Sequence, residues 1–202
     1  MQEVGPIKYL IIDEAHHSLA PTWRRPIETL INTGTKVLGV TATPFRSKDN
    51  ENLGDIFQKV AFSISIFQLI KEGFLSNLIG RAINTELTLD DEEIVNGDYD
   101  RKYLGKIVLE SPTFNHQIVK GWGKYASLRR TICFGVNIQH IEDILLPLFK
   151  KAGARVAVIH GKMKVDEQDK ILEGFKMDTY NLLLTVDLLT EGYDETSINC
   201  VL

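Results

Sequence analysis

Short apolar runs alternate with amphipathic stretches at both ends of this chain, and an acidic, irregular stretch separates the two patterns. Ile7–Ile12 is too uniformly apolar for a one-sided sheet and reads as a strand buried on both faces. Pro21–Ile31 predicts a helix, with Pro26 as an internal conflict because it removes a backbone donor. Lys36–Val40 predicts a second strand after a turn at Gly34. Leu53–Phe57 and Ser65–Glu72 read as short helices, the second closed by Gly73. Leu78–Leu89 reads as extended. Glu86 to Asp100 then holds seven acidic groups and no basic one, the pattern of a solvated loop. Tyr103–Leu109 and Thr113–Tyr125 predict helices around Ser111-Pro112.

The last third alternates again. Arg130–Phe134, Val156–Ile159, Leu182–Val186 and Ile198–Leu202 read as strands. Ile138–Lys151 and Val165–Met177 read as helices, and Pro147 should kink or interrupt the first. Strands alternating with helices of this length predict parallel sheets with crossover helices. The expected division is an α/β block over 1–80, a connecting segment over 81–128 and a second α/β block over 129–202.

Composition narrows the class. The chain has 202 residues, 44% of them hydrophobic and 25% charged, enough to bury a sizeable core. No apolar run is long enough to cross a bilayer, and the start "MQEVGPIKYLII" has no signal-peptide pattern, so no membrane partner is expected. The two cysteines, Cys133 and Cys200, fall in predicted strands and fit free thiols in a reducing compartment, which points to the cytoplasm. Net charge is −4. No segment is strongly basic, so charge gives no support for a nucleic-acid partner. A local basic groove on an acidic protein remains compatible with one.

The chemistry sits where strands end, the usual ligand position in open parallel sheets. Three strand ends carry polar clusters: Asp13-Glu14-Ala15-His16, "GVTATPFR" from Gly39 to Arg46, and "TVDLLTEGYD" from Thr185 to Asp194. Adjacent residues leaving a strand point to different sides. One carboxylate could hold a hard cation while its neighbour faces substrate, a division suited to phosphoryl transfer. A zinc protease would want His-Glu-x-x-His on a helix, which is absent. His16 and His17 are adjacent and share no helical face. A histidine metal site and a plain polar turn are the competing readings. Thr41 and Thr43 could belong to a Thr-rich turn, or could sense a γ-phosphate through their hydroxyls.

Asp-Glu-Ala-His followed by Thr-Ala-Thr about 25 residues later resembles motifs II and III of superfamily-two helicases and translocases. The longer strings "LIIDEAHHSLAPTWRR" and "VLGVTATPFR" are most similar to the type III restriction-type and excision-repair-type branch. "RRTICFGVNIQHIEDI" resembles motif IV, "VIHGKMKVDEQDKILEGFK" the strand–His-Gly–helix unit after it, and "LLLTVDLLTEGYDETSINCVL" motif V. The resemblance covers nearly the whole chain. It implies two incomplete RecA-like parallel-sheet domains, with ATP in the cleft between them and nucleic acid, by branch DNA, running across both. It implies that Asp13 holds Mg²⁺ through water and that Glu14 polarises the attacking water. His16, Thr41 and Thr43 would couple phosphate state to nucleic-acid grip. Thr190, Glu191, Gly192 and Asp194 would serve motif V. Gly135 and Asn137 would open the nucleic-acid loop of motif IV, although Asn137 also reads as a helix cap.

Two family motifs are missing from the sequence. No Gly-Lys pair is followed by Ser or Thr, so there is no P-loop, and no Gln-x-x-Gly-Arg string supplies an arginine finger. Thr196, Gln168 and Val186 also depart from the usual residues at their positions. The expectation is the middle of a longer motor that hydrolyses ATP negligibly by itself. The alternative is a non-enzymatic remnant that keeps the motor fold as a binding or scaffold module.

Overall fold

A computed structural model of the chain describes residues 5–44, 53–85, 87–89, 94–95, 98–190 and 192–202. Arg46, Glu191 and much of the acidic stretch, including Glu86 and residues 90–93, lie outside the described residues. The chain forms two compact units, Met1–Ile79 and Gly80–Leu202.

In the first unit, β1 (Tyr9–Ile12) pairs in parallel with β2 (Lys36–Gly39), Ile12 opposite Gly39. The connection is a tight helical turn, Ala15–Leu19, and then α1 (Pro21–Asn32). Pro21 opens α1, where its missing N–H costs nothing. The helix continues through Pro26 because the bond lost there belongs to Thr22, which is exposed to water. Leu19 and Ile27 pack with Ile56 into a small core, joined by Leu10 and Ile12. The expectation of a strand buried on both faces fails here. Tyr9 and Ile11 are 71% and 70% exposed, because only the Leu10/Ile12 face meets the small core. Leu53–Asp55 forms a single tight turn rather than the expected helix, and α2 (Ile66–Lys71) is capped by the Ser65 hydroxyl, which accepts from the Gln68 N–H.

The second unit is a four-stranded sheet in the order β6-β7-β5-β8: β5 (Thr131–Phe134), β6 (Val156–His160), β7 (Leu182–Val186) and β8 (Cys200–Val201). Every pairing in it is parallel. Ahead of it come a short antiparallel pair, β3 (Ile94–Val95) with β4 (Asp98–Tyr99), then α3 (Arg101–Leu109) and α4 (Pro112–Tyr125). Strand alternation decides the layers. Leu182 and Leu184 face Trp122, Ile141, Leu145 and Phe149, whereas Leu183 faces Phe175 of α6 (Val165–Lys176). The sheet is therefore covered on both sides, α4 and α5 (Leu146–Lys151) on one and α6 on the other. Before α5 the chain makes a wide turn, His140–Leu145, in which the Leu146 N–H reaches the Ile141 carbonyl five residues back. Pro147 follows immediately and has no N–H to donate, so the expected interruption takes the form of an overwide turn running into a short helix.

Among the described residues no helix is long and apolar enough to cross a membrane.

Candidate functional site

Parallel pairing of β1 and β2 brings their carboxyl ends side by side, although 25 residues separate His16 from Thr41. The Val40 N–H donates to the Ile12 carbonyl at 2.8 Å, and the Ala15 N–H donates back to the Val40 carbonyl at 2.9 Å. These two bonds splice the loop after β1 to the loop after β2. Glu14 takes a left-handed backbone, φ 49°, and its N–H donates to Asp13 Oδ1 at 2.9 Å. The pleat expected to separate the two carboxylates is replaced by this turn. A left-handed residue reverses the chain more sharply than a strand can, and it lets Ala15 enter the core. Asp13 and Glu14 both remain exposed at the tip.

His16 is the centre of the contacts. Its Nδ1 lies 2.9 Å from Thr41 Oγ1, 3.3 Å from Thr43 Oγ1 and 3.3 Å from Glu14 Oε2. One ring nitrogen offers a single proton or a single lone pair, so these oxygens compete for it. The Thr43 N–H donates to Thr41 Oγ1 at 3.1 Å, which leaves the Thr41 hydroxyl proton able to point at His16. His17 stacks obliquely on His16, ring centroids 4.1 Å apart. Among the described residues no three His, Cys, Asp or Glu side chains gather closely enough to hold a metal.

Gly39 permits this close approach. A Cβ there would lie 2.6 Å from the Phe57 ring and 2.8 Å from the Ala15 Cβ. Gly39→Ala is expected to cost about 1–3 kcal/mol through overpacking, read as a lower urea midpoint. The sequence signal was a glycine in the last position of an apolar strand, but its neighbours could not be named without the fold.

In the second unit, β5, β6 and β7 run parallel and end on the same side of the sheet. The loop after β5 holds Gly135 and Asn137. The Gly135 N–H donates to the Thr185 carbonyl at 2.8 Å, and a Cβ on Gly135 would collide with Ile141. Asn137 Oδ1 accepts from the His140 N–H at 2.8 Å, the capping role, while a Cβ on Gly105 of α3 would meet its Nδ2 at 2.7 Å. After β7, Asp187 and Leu189 both have positive φ, and Asp187 forms an ion pair with Arg101 at the start of α3. The Thr190 hydroxyl donates to the Asp187 carbonyl, and Gly192 turns with φ 70°. Asp194 is exposed, and Glu191 lies outside the described residues. Gln168 donates to the His160 and Met163 carbonyls at 3.2 and 3.1 Å, bracing the loop between β6 and α6.

One buried polar chain was missed at the level of sequence. Asn115 of α4 is 1% exposed and donates to the carbonyls of Val108 and Ser111. Its Oδ1 lies 2.8 Å from His140 Nε2. His140 Nδ1 accepts from the Val136 N–H at 3.3 Å. Asn115, Val119, Trp122 and Ala126 share one helical stripe by spacing, and a lone Asn on an apolar stripe signals a buried partner. Burial pushes the His140 pKa down from 6.5 to about 4. The unfolded chain therefore binds a proton between those values that the folded chain refuses. Stability is full above about pH 6.5 and falls as pH drops toward 4, by roughly 3 kcal/mol at ~1.4 kcal/mol per pH unit. Urea midpoints at neutral and acid pH, compared with His140→Gln, would read that slope.

Residues 2–46 match the family described as type III restriction enzyme, res subunit, and residues 115–202 match the helicase conserved C-terminal domain. The chain is 27% identical over 207 residues to the putative ATP-dependent helicase IRC3 of Saccharomyces cerevisiae, covering 99% of this chain and 30% of that protein. It is 27% identical over 201 residues to the putative mitochondrial ATP-dependent helicase irc3 of Schizosaccharomyces pombe, covering 96% of this chain and 32% of the relative. The chain thus spans about a third of the length of these curated relatives. Among solved structures, a point variant of Saccharomyces cerevisiae Dbp5 bound to RNA and ADP BeF3 aligns with TM-score 0.50 at 16% identity, covering 98% of this chain and 44% of that one. That likeness shows a shared RecA-like α/β fold. The two family matches, in the order of the motifs, and the two relatives show that this chain is similar to ATP-dependent helicases along nearly its whole length.

Proposed function

We propose that this chain is part of an ATP-dependent helicase or translocase that moves on DNA. The observation that carries this reading is the His16–Thr41–Thr43 cluster, formed across two adjacent strand ends beside a pair of exposed carboxylates. A chain using Asp13 and Glu14 as a plain polar turn would have no need to tie them to a second strand end.

The residues present fit a magnesium nucleotide. Asp13 offers a hard carboxylate oxygen at an exposed strand end, the donor type Mg²⁺ takes. In this reading Asp13 would hold the ion. The ion neutralises charge on the phosphates when bound. Glu14 takes a proton from, or orients, the attacking water. His16 reads the state of that site through Thr41 and Thr43. Thr190, Glu191, Gly192 and Asp194 serve the nucleotide and the nucleic-acid backbone in the second unit. These 202 residues contain neither the P-loop phosphate cradle nor the arginine finger, so a working motor would need both from additional sequence. An arginine finger alone contributes ~10³–10⁵ in rate, so the isolated chain is expected to hydrolyse ATP negligibly.

The test is ATP hydrolysis by the longer protein, with and without single-stranded DNA or RNA. Stimulation by DNA supports the proposal, and stimulation by RNA alone would replace DNA with RNA as its track. No stimulated hydrolysis, together with no P-loop in the longer sequence, would favour the non-enzymatic scaffold reading instead. Fluorescent tagging of the longer protein would test the cytoplasmic location, given that the Schizosaccharomyces pombe relative is named mitochondrial.

A further inference from the structure

We infer that His140 is a positioning residue for the loop after β5, holding residues 135–137 in place from the α3–α4 pair. The inference rests on the proposed reading in one respect, that this loop faces nucleic acid.

The hydrogen bonds fix the direction of the relay. Asn115 Nδ2 is committed as a donor to two carbonyls, those of Val108 at 2.7 Å and Ser111 at 3.0 Å. Its Oδ1 must then accept, so His140 Nε2 carries the proton and donates. A neutral imidazole with its proton on Nε2 has a bare Nδ1. That nitrogen faces the Val136 N–H, the middle residue of the loop. The chain of bonds therefore runs from the α3–α4 junction through Asn115 and His140 to one backbone amide of the loop. The low pKa of His140 agrees with a neutral ring.

A second contact reaches the same loop from α3. Gly105 approaches Asn137 so closely that no side chain fits between them, and Asn137 in turn caps the His140 N–H. Both ends of the loop's polar framework thus lead back to residues 105–115. This is more wiring than core packing needs. A buried apolar residue at 140 would pack against Asn115 without fixing the Val136 amide, and it would leave Asn115 Oδ1 unpaired. The geometry makes α3–α4 a brace, so that a shift of these helices would be felt at Val136.

Two near-isosteric variants separate the halves of the relay. His140→Asn places an acceptor where Nδ1 stood and loses the donor to Asn115. His140→Gln keeps a donor toward Asn115 and loses the acceptor for Val136. In the 202-residue chain, nitrogen NMR of the ring should show the Nε2–H tautomer. Amide exchange of Val136 should stay slow in His140→Asn and accelerate on the order of tenfold in His140→Gln. Equal Val136 exchange in the two variants, or an Nδ1–H tautomer, would overturn the inference.

The second arm uses the longer protein and a fluorescein-labelled oligothymidylate. If Val136 behaves as expected, weaker binding by His140→Gln than by His140→Asn, at matched thermal stability, supports positioning for nucleic acid. Equal binding with unequal Val136 exchange would leave the brace standing and overturn the nucleic-acid reading of this loop.

Discussion

Glu14→Gln in the longer motor is expected to reduce ATP hydrolysis by roughly 10²–10⁴-fold while ATP binding is retained, the range that general-base catalysis contributes. The substitution keeps the shape of the side chain and removes only its charge and basicity. Glu14 sits in a left-handed turn fixed by its own N–H to Asp13, its carbonyl to the His17 N–H, and the neighbouring Ala15 N–H to Val40. None of these bonds uses the Glu14 carboxylate, so the turn should persist in the variant. What changes is the Oε2 beside His16 Nδ1. Steady-state hydrolysis together with equilibrium binding of a fluorescent ATP analogue reads both halves of the prediction. Wild-type turnover would refute the role proposed for Glu14. Loss of both binding and turnover would point to damage of the whole strand end.

Trp122→Ala is expected to destabilise the second unit by about 3–5 kcal/mol. That is a large share of the ~5–15 kcal/mol typical of a folded domain. Trp122 is 2% exposed, meets Phe149 edge-on at 5.5 Å, and donates its indole N–H to Thr131 Oγ1 at 3.1 Å. Truncation removes both contacts and leaves a cavity between α4 and the sheet. Trp122→Phe should cost much less, since it retains most of the apolar area and loses chiefly the hydrogen bond, worth about 1 kcal/mol. Urea unfolding followed by circular dichroism gives both values. If α4 were only a tether between units, the change would fall within about 0.5 kcal/mol, as for an ordinary surface site.

The polar strand ends were legible because they are local. A run such as Tyr9–Ile12 followed at once by Asp13 and Glu14 places carboxylates at a strand tip whatever surrounds it. Two helices after it were legible for the same reason, with Pro21 opening α1 and Ser65 capping α2, whereas Asp100 read as part of the acidic loop and in fact caps α3 by accepting from the Lys102 and Tyr103 N–H groups. Where the pattern misled, the cause was non-local. Tyr9 and Ile11 read as core residues, yet both are mostly exposed in the structure. Hydrophobicity states what a side chain favours, and only packing states what covers it.

Periodicity, capping residues and the order of the motifs were set by the sequence alone: alternating strands and helices, polar strand ends, and the helicase resemblance. The tertiary structure decided which of those pieces touch. It put Thr41 on His16, the Phe57 ring and Ala15 against Gly39, and Asn115 under His140. Each of these contacts joins residues 18 or more positions apart, so none leaves a period or a spacing that a linear reading can detect. They arise when parallel pairing brings strand ends together and helices cover the sheet. Those steps depend on the summed burial of the whole unit rather than on any one stretch of it.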